Sequence, residues 1–447
     1  MDDATFPGER FDFSNDENSE RSQFNSVNLR MAYDLTENIT LDSETTYFWN
    51  DFLQLGDIDL TAVPQGQSSR QNDFENIEQE VRLSYDSDDL RATVGVFFTR
   101  FERDATGDFL LPGFTLIPIA PPASEVTIRT LTMDKVTNFA GFGEVEYDLL
   151  PELTLIAGMR YDIESFDSVT TSSFLSDDPT LSLFLPPPSD AEAIDSNFGA
   201  FLPKAGLVYS FNEDLSLGFT AQRGYRAGGA SLQASSGEVV EFDPEKTWNF
   251  ELAARSQWLD DRITANANVF YTRWTDQQVN VEGAIPVIDR FTDNAGRSRL
   301  FGGEVEVVVQ ATDNLDLFGS AAYVDTKLIE FTTNGSIFDG NEFPGAPRFT
   351  AAFGGTYAFD NGWFASADAS FTDSAFSDVA NTDALKTDAR FLVNARAGYQ
   401  DDNWEVFAYV RNLFDNSYAT NRFASLSGIT AQSGEPLTFG LIGQIRF

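Results

Sequence analysis

The sequence predicts an all-β protein, a transmembrane antiparallel β-barrel of the outer-membrane type, and three observations carry that expectation. Apolar and polar residues alternate with period two in one segment after another, as they do in strands with one greasy and one wet face. Short acidic turns and long irregular connections follow each other in strict succession, the asymmetry of a barrel with tight turns on one rim and long loops on the other. The last segment, residues 437–447, is itself such a strand. Leu437, Phe439, Leu441, Ile445 and Phe447 share one face, and Thr438, Gln444 and Arg446 share the other.

Composition narrows the field further. The 447 residues include 29 Lys and Arg, 70 Asp and Glu, and neither Cys nor His. Without Cys there is no disulfide framework and no thiolate metal site, and without His there is no imidazole base or ligand. No metal site, cofactor or catalytic constellation is therefore expected, and the chain does not read as an enzyme. The net charge of −41 argues against a nucleic-acid partner, which needs a basic face. No run of 18 apolar residues exists, so the sequence offers no helical membrane span. Residues 1–5 have neither a basic nor an apolar signal region. An outer-membrane barrel is exported, so the expectation is that the chain is a piece of something longer.

Taken in order, residues 1–21 read as a polar loop and 22–447 as a partial barrel. Tight turns fall near 36–38, 87–89, 151–152, 212–214, 260–261, 313–314, 360–362 and 401–403. They are rich in Asp, Asn and Gly, which tolerate positive φ and bond their own backbone. Long connections are expected at 51–72, 104–131, 166–194, 227–243, 281–296, 332–343, 376–387 and 415–436. Eight hairpins plus the terminal strand give about 17 strands. Single-chain bacterial barrels have an even number. The first strand, 22–34, runs into a tight turn and so descends, which leaves its ascending partner missing.

The strand faces fit lipid outside and water inside. Trp248, Phe250, Leu252, Ala254 and Trp258 alternate with Thr247, Asn249, Glu251, Arg255 and Gln257. Trp248 and Trp258 are ten residues apart, or about 25 Å at roughly 2.5 Å of height per tilted residue, the span between two aromatic girdles. Ile263, Ala265, Ala267, Val269 and Tyr271 repeat the outward pattern, with Phe270 and Trp274 as inward exceptions. Trp363 opens a further strand on the outward side. Polar residues over the full height imply a wide, wet lumen.

Several stretches then resemble the barrel of TonB-dependent receptors of Gram-negative bacteria. They are Gly224-Tyr225-Arg226-Ala227-Gly228-Gly229, Phe242-Asp243-Pro244-Glu245-Lys246, Asn268-Val269-Phe270-Tyr271 with Asp276-Gln277, Gly303-Glu304-Val305-Glu306, Pro344-Gly345-Ala346-Pro347-Arg348, and Val410-Arg411-Asn412-Leu413-Phe414-Asp415 with Tyr418. The resemblance implies a barrel of about 22 strands, with a plug and a TonB-contacting segment before it. The 17 read here correspond to the last of these, with plug and TonB segment absent. It also implies uptake of a ferric siderophore or similar metal chelate, and contact with the lipid bilayer. TonB is then a partner through the missing N-terminal region, and the barrel assembly machinery a partner through the terminal strand and Phe447.

Candidate site residues follow from position. Arg226, inward at the outer end of its strand, is a candidate for an anionic ligand, or else pairs with a carboxylate to hold its loop. Trp274 and Phe114 are further ligand candidates. Phe114 lies in 109–122, an outer loop unusually rich in apolar residues, which either covers the mouth or packs on its neighbours. Glu251, Arg255, Glu304 and Glu306 are candidates for the barrel wall facing a plug, or for a solvated wall network. Trp248, Trp258 and Trp363 are the girdle candidates. Arg223 faces outward near the outer girdle, where its stem can snorkel to lipid phosphate. A passive pore or barrel remnant, and a soluble β-adhesin or lectin, remain as alternative readings.

Overall fold

The structure is a computed structural model that describes residues 18–58, 66–113, 120, 124–188, 191–233, 238–282, 290–333, 335–425 and 428–446. In chain order its strands are β1 (Ser19–Thr36), β2 (Ile39–Asp57), β3 (Gln67–Asp86), β4 (Leu90–Pro112), β5 (Glu125–Leu150), β6 (Leu153–Leu175), β7 (Glu192–Asn212) and β8 (Leu215–Arg226). Then come β9 (Gly229–Gln233), β10 (Glu238–Phe242), β11 (Glu245–Trp258), β12 (Ile263–Glu282), β13 (Arg290–Thr312), β14 (Leu315–Glu330), β15 (Thr332–Thr333) and β16 (Ser336–Ile337). The last are β17 (Phe349–Ala358), β18 (Trp363–Thr372), β19 (Arg390–Gln400), β20 (Trp404–Arg411), β21 (Ala419–Ser425), β22 (Gly428–Ser433) and β23 (Thr438–Ile445).

Seventeen strands form one antiparallel sheet in which each pairs with the next in sequence. β9–β10, β15–β16 and β21–β22 are small hairpins outside it. β1 pairs only with β2, and β23 only with β20, among the described residues, so the sheet has two edges.

All eight tight turns stand between the strands where the sequence puts them. Their side chains hold them: Asp401 Oδ1 accepts from the amides of Asn403 (2.8 Å) and Trp404 (2.9 Å), and Asn212 Oδ1 accepts from Asp214 N (2.9 Å). Gly362 has φ +84°, and a Cβ there would meet Gln400 O at 2.7 Å, so that turn requires glycine.

The strands run further than the alternation suggests. β1 begins at Ser19, inside the segment read as loop, while residues 1–17 lie outside the described residues. Much of 51–72 and 104–131 is strand, and β5 reaches 26 residues. Beyond the membrane both faces of a hairpin meet water, so the period-two signal fades while the ladder continues. Side chains fasten the extension, as where Arg129 Nε and Nη2 each donate to Asp108 at 2.8 Å.

The alternation is visible as exposure. The large outward residues stand uncovered along the sheet: Phe219, Leu252, Val269, Val305, Leu317, Phe353. Beside the short turns runs a row of exposed aromatics, including Tyr85, Tyr147, Tyr209, Trp258 (48%), Tyr357, Trp363 (55%) and Trp404. Trp248, ten residues from Trp258, is exposed at the other end of β11 (39%). The buried apolar cluster sits instead among the long connections. It joins Val279, Val281, Phe291 and Ala295 on β12 and β13 to Leu328, Phe331 and Val379.

Candidate ligand-binding mouth and lumen wall

The long connections interlock into a layer. Asn341 Nδ2 donates to Val379 O (2.9 Å), Glu342 N donates to Asn381 Oδ1 (2.7 Å), and Asn381 Nδ2 returns to Glu342 O (3.0 Å). Those bonds tie the β14–β17 connection to the β18–β19 connection. The latter is tied in turn to the β21–β22 hairpin, where Arg422 Nη2 donates to both oxygens of Asp388 at 2.9 and 3.0 Å. The same carboxylate accepts from Ala419 N at 2.9 Å. Asn381 is at φ +55°, a conformation that Asn tolerates better than other residues with a Cβ.

This layer borders an open concavity of about 590 Å³ lined by Gln277 to Val281, Phe338, Phe343, Val379, Leu385, Asn421, Arg422 and Phe423, among others. Its charges are already engaged: Arg422 with Asp388, and Asp378 with Thr382 N (2.9 Å) and Oγ1 (2.6 Å). What else lines the space is aromatic and aliphatic surface, neutral amides, and the hydroxyls of Thr333, Ser336 and Ser377. That lining suits a ligand presenting apolar or aromatic bodies and hydrogen-bonding carbonyls.

Below it, the lumen wall forms a second concavity of about 480 Å³. Glu251, Arg255, Glu304 and Glu306 all line it, together with Asn266, Asn268, Ser320, Thr350 and Ser370. Asn268 Nδ2 donates to Glu304 Oε1 (2.9 Å) and reaches Glu251 Oε1 (3.5 Å). Arg255 and Glu306 both stand opposite Asn266 in register. The arrangement is a polar patch across β11, β12 and β13, bounded by small residues of β14, β17 and β18.

Of the other residues singled out, Arg226 is paired. Its Nη2 donates to Glu245 Oε2 at 3.0 Å and approaches Gln278 O at 3.5 Å. Glu245 Oε2 also accepts from Gln278 N at 2.8 Å, so the pair holds the β12 extension to the end of β8. Trp274 packs edge-on against Phe343 (5.7 Å, 78°), which itself lines the mouth concavity. Phe114 and Phe447 lie outside the described residues. The neighbouring Leu111, in the apolar stretch 109–122, is buried, as are Val126, Ile128 and Leu181.

The motif containing Asn412 builds the last long connection. Asn412 is buried, at φ +47°, and its Nδ2 donates to Asn416 O and Glu435 O at 2.9 Å each while its Oδ1 accepts from Asn416 N at 2.9 Å. Sequence reasoning missed Arg422, Asp388, Phe338 and Phe343. Phe338 and Phe343 stand as two aromatics in a mostly polar connection, 332–343, which is a signal; the Arg422–Asp388 pair leaves none.

Known proteins share this architecture. A family model described as TonB dependent receptor-like, β-barrel, matches residues 2–413. The crystal structure of the ferric yersiniabactin uptake receptor FyuA from Yersinia pestis superposes with a TM-score of 0.81 at 18% identity, covering 96% of this chain and 62% of that one. The probable TonB-dependent siderophore receptor PiuA of Acinetobacter baumannii is 22% identical over 456 residues, 89% of this chain and 57% of the relative. The metal-pseudopaline receptor CntO of Pseudomonas aeruginosa is 27% identical over 170 residues, 38% of this chain and 22% of the relative. The chain spans less than two thirds of the length of each of these three.

Proposed function

The chain belongs to the TonB dependent receptor-like β-barrel family, and from that membership we propose that it is the barrel of a receptor that takes up ferric siderophores or similar metal complexes. The family resides in the outer membrane, and its receptors are transporters rather than enzymes. In this reading the ligand is captured in the concavity that the interlocked loop layer borders and passes along the polar wall below. The single observation that carries it is that concavity, bordered by loops bonded to one another and lined by Phe338, Phe343 and Phe423 with amides and hydroxyls between them. The relatives named for ferric yersiniabactin, siderophore and metal-pseudopaline support a metal chelate as the ligand class.

The two open edges support a second element of the reading. About five further strands, supplied by chain outside these 447 residues, stand between β1 and β23 and close a barrel of about 22. A plug and TonB-contacting segment accompany them, and force applied through TonB opens the path. An unpaired edge in hydrocarbon costs several kcal/mol per backbone group, which the added strands remove.

The test is titration of the detergent-solubilised protein with a panel of ferric siderophores, with ferric citrate, free iron, a sugar and cobalamin as separate arms. The reading expects one chelate to bind at micromolar affinity or better, and Phe343→Ala to weaken it at least tenfold. Binding of a sugar or cobalamin in place of every chelate would overturn the ligand class. No binding by any of these, with ion conductance in planar bilayers, would make the chain a passive pore.

A further inference from the structure

We propose that an opening in the wall between β7 and β8 is a side port that admits the acyl chain of an amphiphilic ligand from the outer leaflet, with Tyr225 as its shutter. That the head group of this ligand is a metal chelate rests on the receptor reading above; the port itself does not. Neighbouring ladders run on to the loops. The β3–β4 ladder extends from Asp86 and Arg91 to Gln67 and Leu110, and the β5–β6 ladder from Leu150 and Leu153 to Thr127 and Leu175. The β7–β8 ladder stops at Lys204 and Gln222, although β7 continues to Glu192 and β8 to Arg226. The next residue of β7 is Pro203, which has no N–H to offer.

Two contacts frame the opening. Below, the Arg223 guanidinium donates to Phe201 O at 3.4 Å. Above, the Phe198 ring lies so close to Gly228, two residues past β8, that a Cβ there would meet Phe198 Cζ at 2.9 Å. Tyr225 stands between them in sequence. It pairs with Lys246 as Arg223 pairs with the exposed Trp248, so both start from the outward side of β8. Yet the Tyr225 hydroxyl is buried without a hydrogen-bond partner, and the charges that act on it are those of Glu164 and Asp162. Those two carboxylates alternate with the exposed Tyr161 and Ile163 and so belong to the lumen face of β6. A ring rooted on the outer side whose tip meets the field of lumen carboxylates passes through the wall at this opening.

Height selects the ligand. Tyr161 and Ile163 stand opposite Phe201 and Gly199, and the three large residues are exposed at 51%, 54% and 48%. Further along, the same face turns polar, with Ser165 opposite Asn197 and Asp167 opposite Asp195. The opening thus lies at the upper edge of the apolar band, where the acyl layer of the outer leaflet begins. On the lumen side Phe198 and Leu202, opposite Glu164 and Arg160, continue the apolar surface inward. An amphiphile partitions into the leaflet and reaches this opening sideways instead of through water. Its chain replaces the Tyr225 ring between Phe201 and Phe198. The phenol, a buried donor that lacks an acceptor, then donates to the carbonyl at the head of the chain.

The test irradiates the purified protein in lipid nanodiscs with lauramide carrying a terminal diazirine and maps the adducts by mass spectrometry. The matching butyramide, which stays in water, is a separate arm. Lauramide adducts are expected on Phe198 and Leu202 as well as on Ile163. Tyr225→Ala should raise those on Phe198 and Leu202 at least fivefold, and Tyr225→Trp should lower them at least threefold, with Ile163 labelled equally throughout. Tyr209→Ala, near the short turns, should change nothing. Heat-dependent migration on gels identifies a variant that misfolds, and either Tyr225 variant alone decides the matter. Siderophore titration runs in parallel. Lauramide entry without binding of any chelate keeps the port and removes the chelate head group; chelate binding with no lauramide adduct on the lumen side removes the port and keeps the receptor. Lumen adducts that ignore both Tyr225 variants, or butyramide adducts that rise as much as lauramide adducts in Tyr225→Ala, would likewise overturn the port.

Discussion

Arg226 and Glu245 face each other across β8 and β11, and the guanidinium donates to the carboxylate over 3.0 Å. Each belongs to a different conspicuous stretch of the sequence, and their pairing shows that the two stretches are halves of one joint. Glu245 is the hub, because the same oxygen also accepts from Gln278 N at 2.8 Å. Glu245→Ala is therefore expected to cost about 2 kcal/mol and to release the Gln278 amide to hydrogen exchange. Arg226→Ala, on a largely exposed guanidinium, should cost about 1 kcal/mol or less and leave that amide protected. Equal exchange in both variants would refute the hub.

Asn412 is expected to act as a structural residue. Its side chain makes three bonds to backbone inside the last long connection, and its φ of +47° penalises a residue with an ordinary Cβ. Asn412→Ala leaves buried backbone groups without partners and should lower stability by about 3 kcal/mol in urea titrations in micelles. A loss under about 0.5 kcal/mol would show that the motif is held by other means.

The two faces of β12 should respond oppositely to charge. Val269 stands on the exposed apolar face, and Asn268, its neighbour, lies in the wall concavity beside Glu251 and Glu304. Val269→Arg is expected to cost about 2–4 kcal/mol in a bilayer, as mid-membrane charges on lipid faces do. Asn268→Arg meets water and two carboxylates and should be near neutral. Comparable costs at both positions would mean that the faces are not distinct.

The Arg297–Glu330 pair joins β13 to β14 on the long-loop side of the aromatic row. The hydrogen bond from Arg297 holds the Glu330 carboxyl below its ordinary value of 4.5. A depressed carboxylate pKa adds stability above the ordinary value and forfeits it as pH falls through the lowered one. The contact should thus be constant from pH 5 to 8 and open only under stronger acid. Titration of the Glu330 carbon by NMR should show a midpoint below 4.5, returning toward it in Arg297→Gln.

Much of this was legible in the sequence. Turn chemistry is local, so Asn212, Gly362 and Asp401 announced their hairpins unaided. Alternation is local too, so Trp248, Leu252 and Val269 could be set on one face with Glu251 and Asn268 on the other. The strand extensions were not legible, because residues such as Asp108 and Arg129 are wet on both sides. The mouth was not legible either. Val279, Phe343 and Val379 meet only because the end of β12 and two connections fold together, and Asp388 meets Arg422 from 34 residues away.

The most direct measurement uses the absence of Cys from the chain. Single cysteines placed from 264 to 272 on β12 would be reacted with an impermeant maleimide in native outer membranes. Labelling is expected at 264, 266 and 268, and protection at 265, 267, 269 and 271. Uniform labelling, or the opposite alternation, would contradict a sheet with lipid on one face and water on the other.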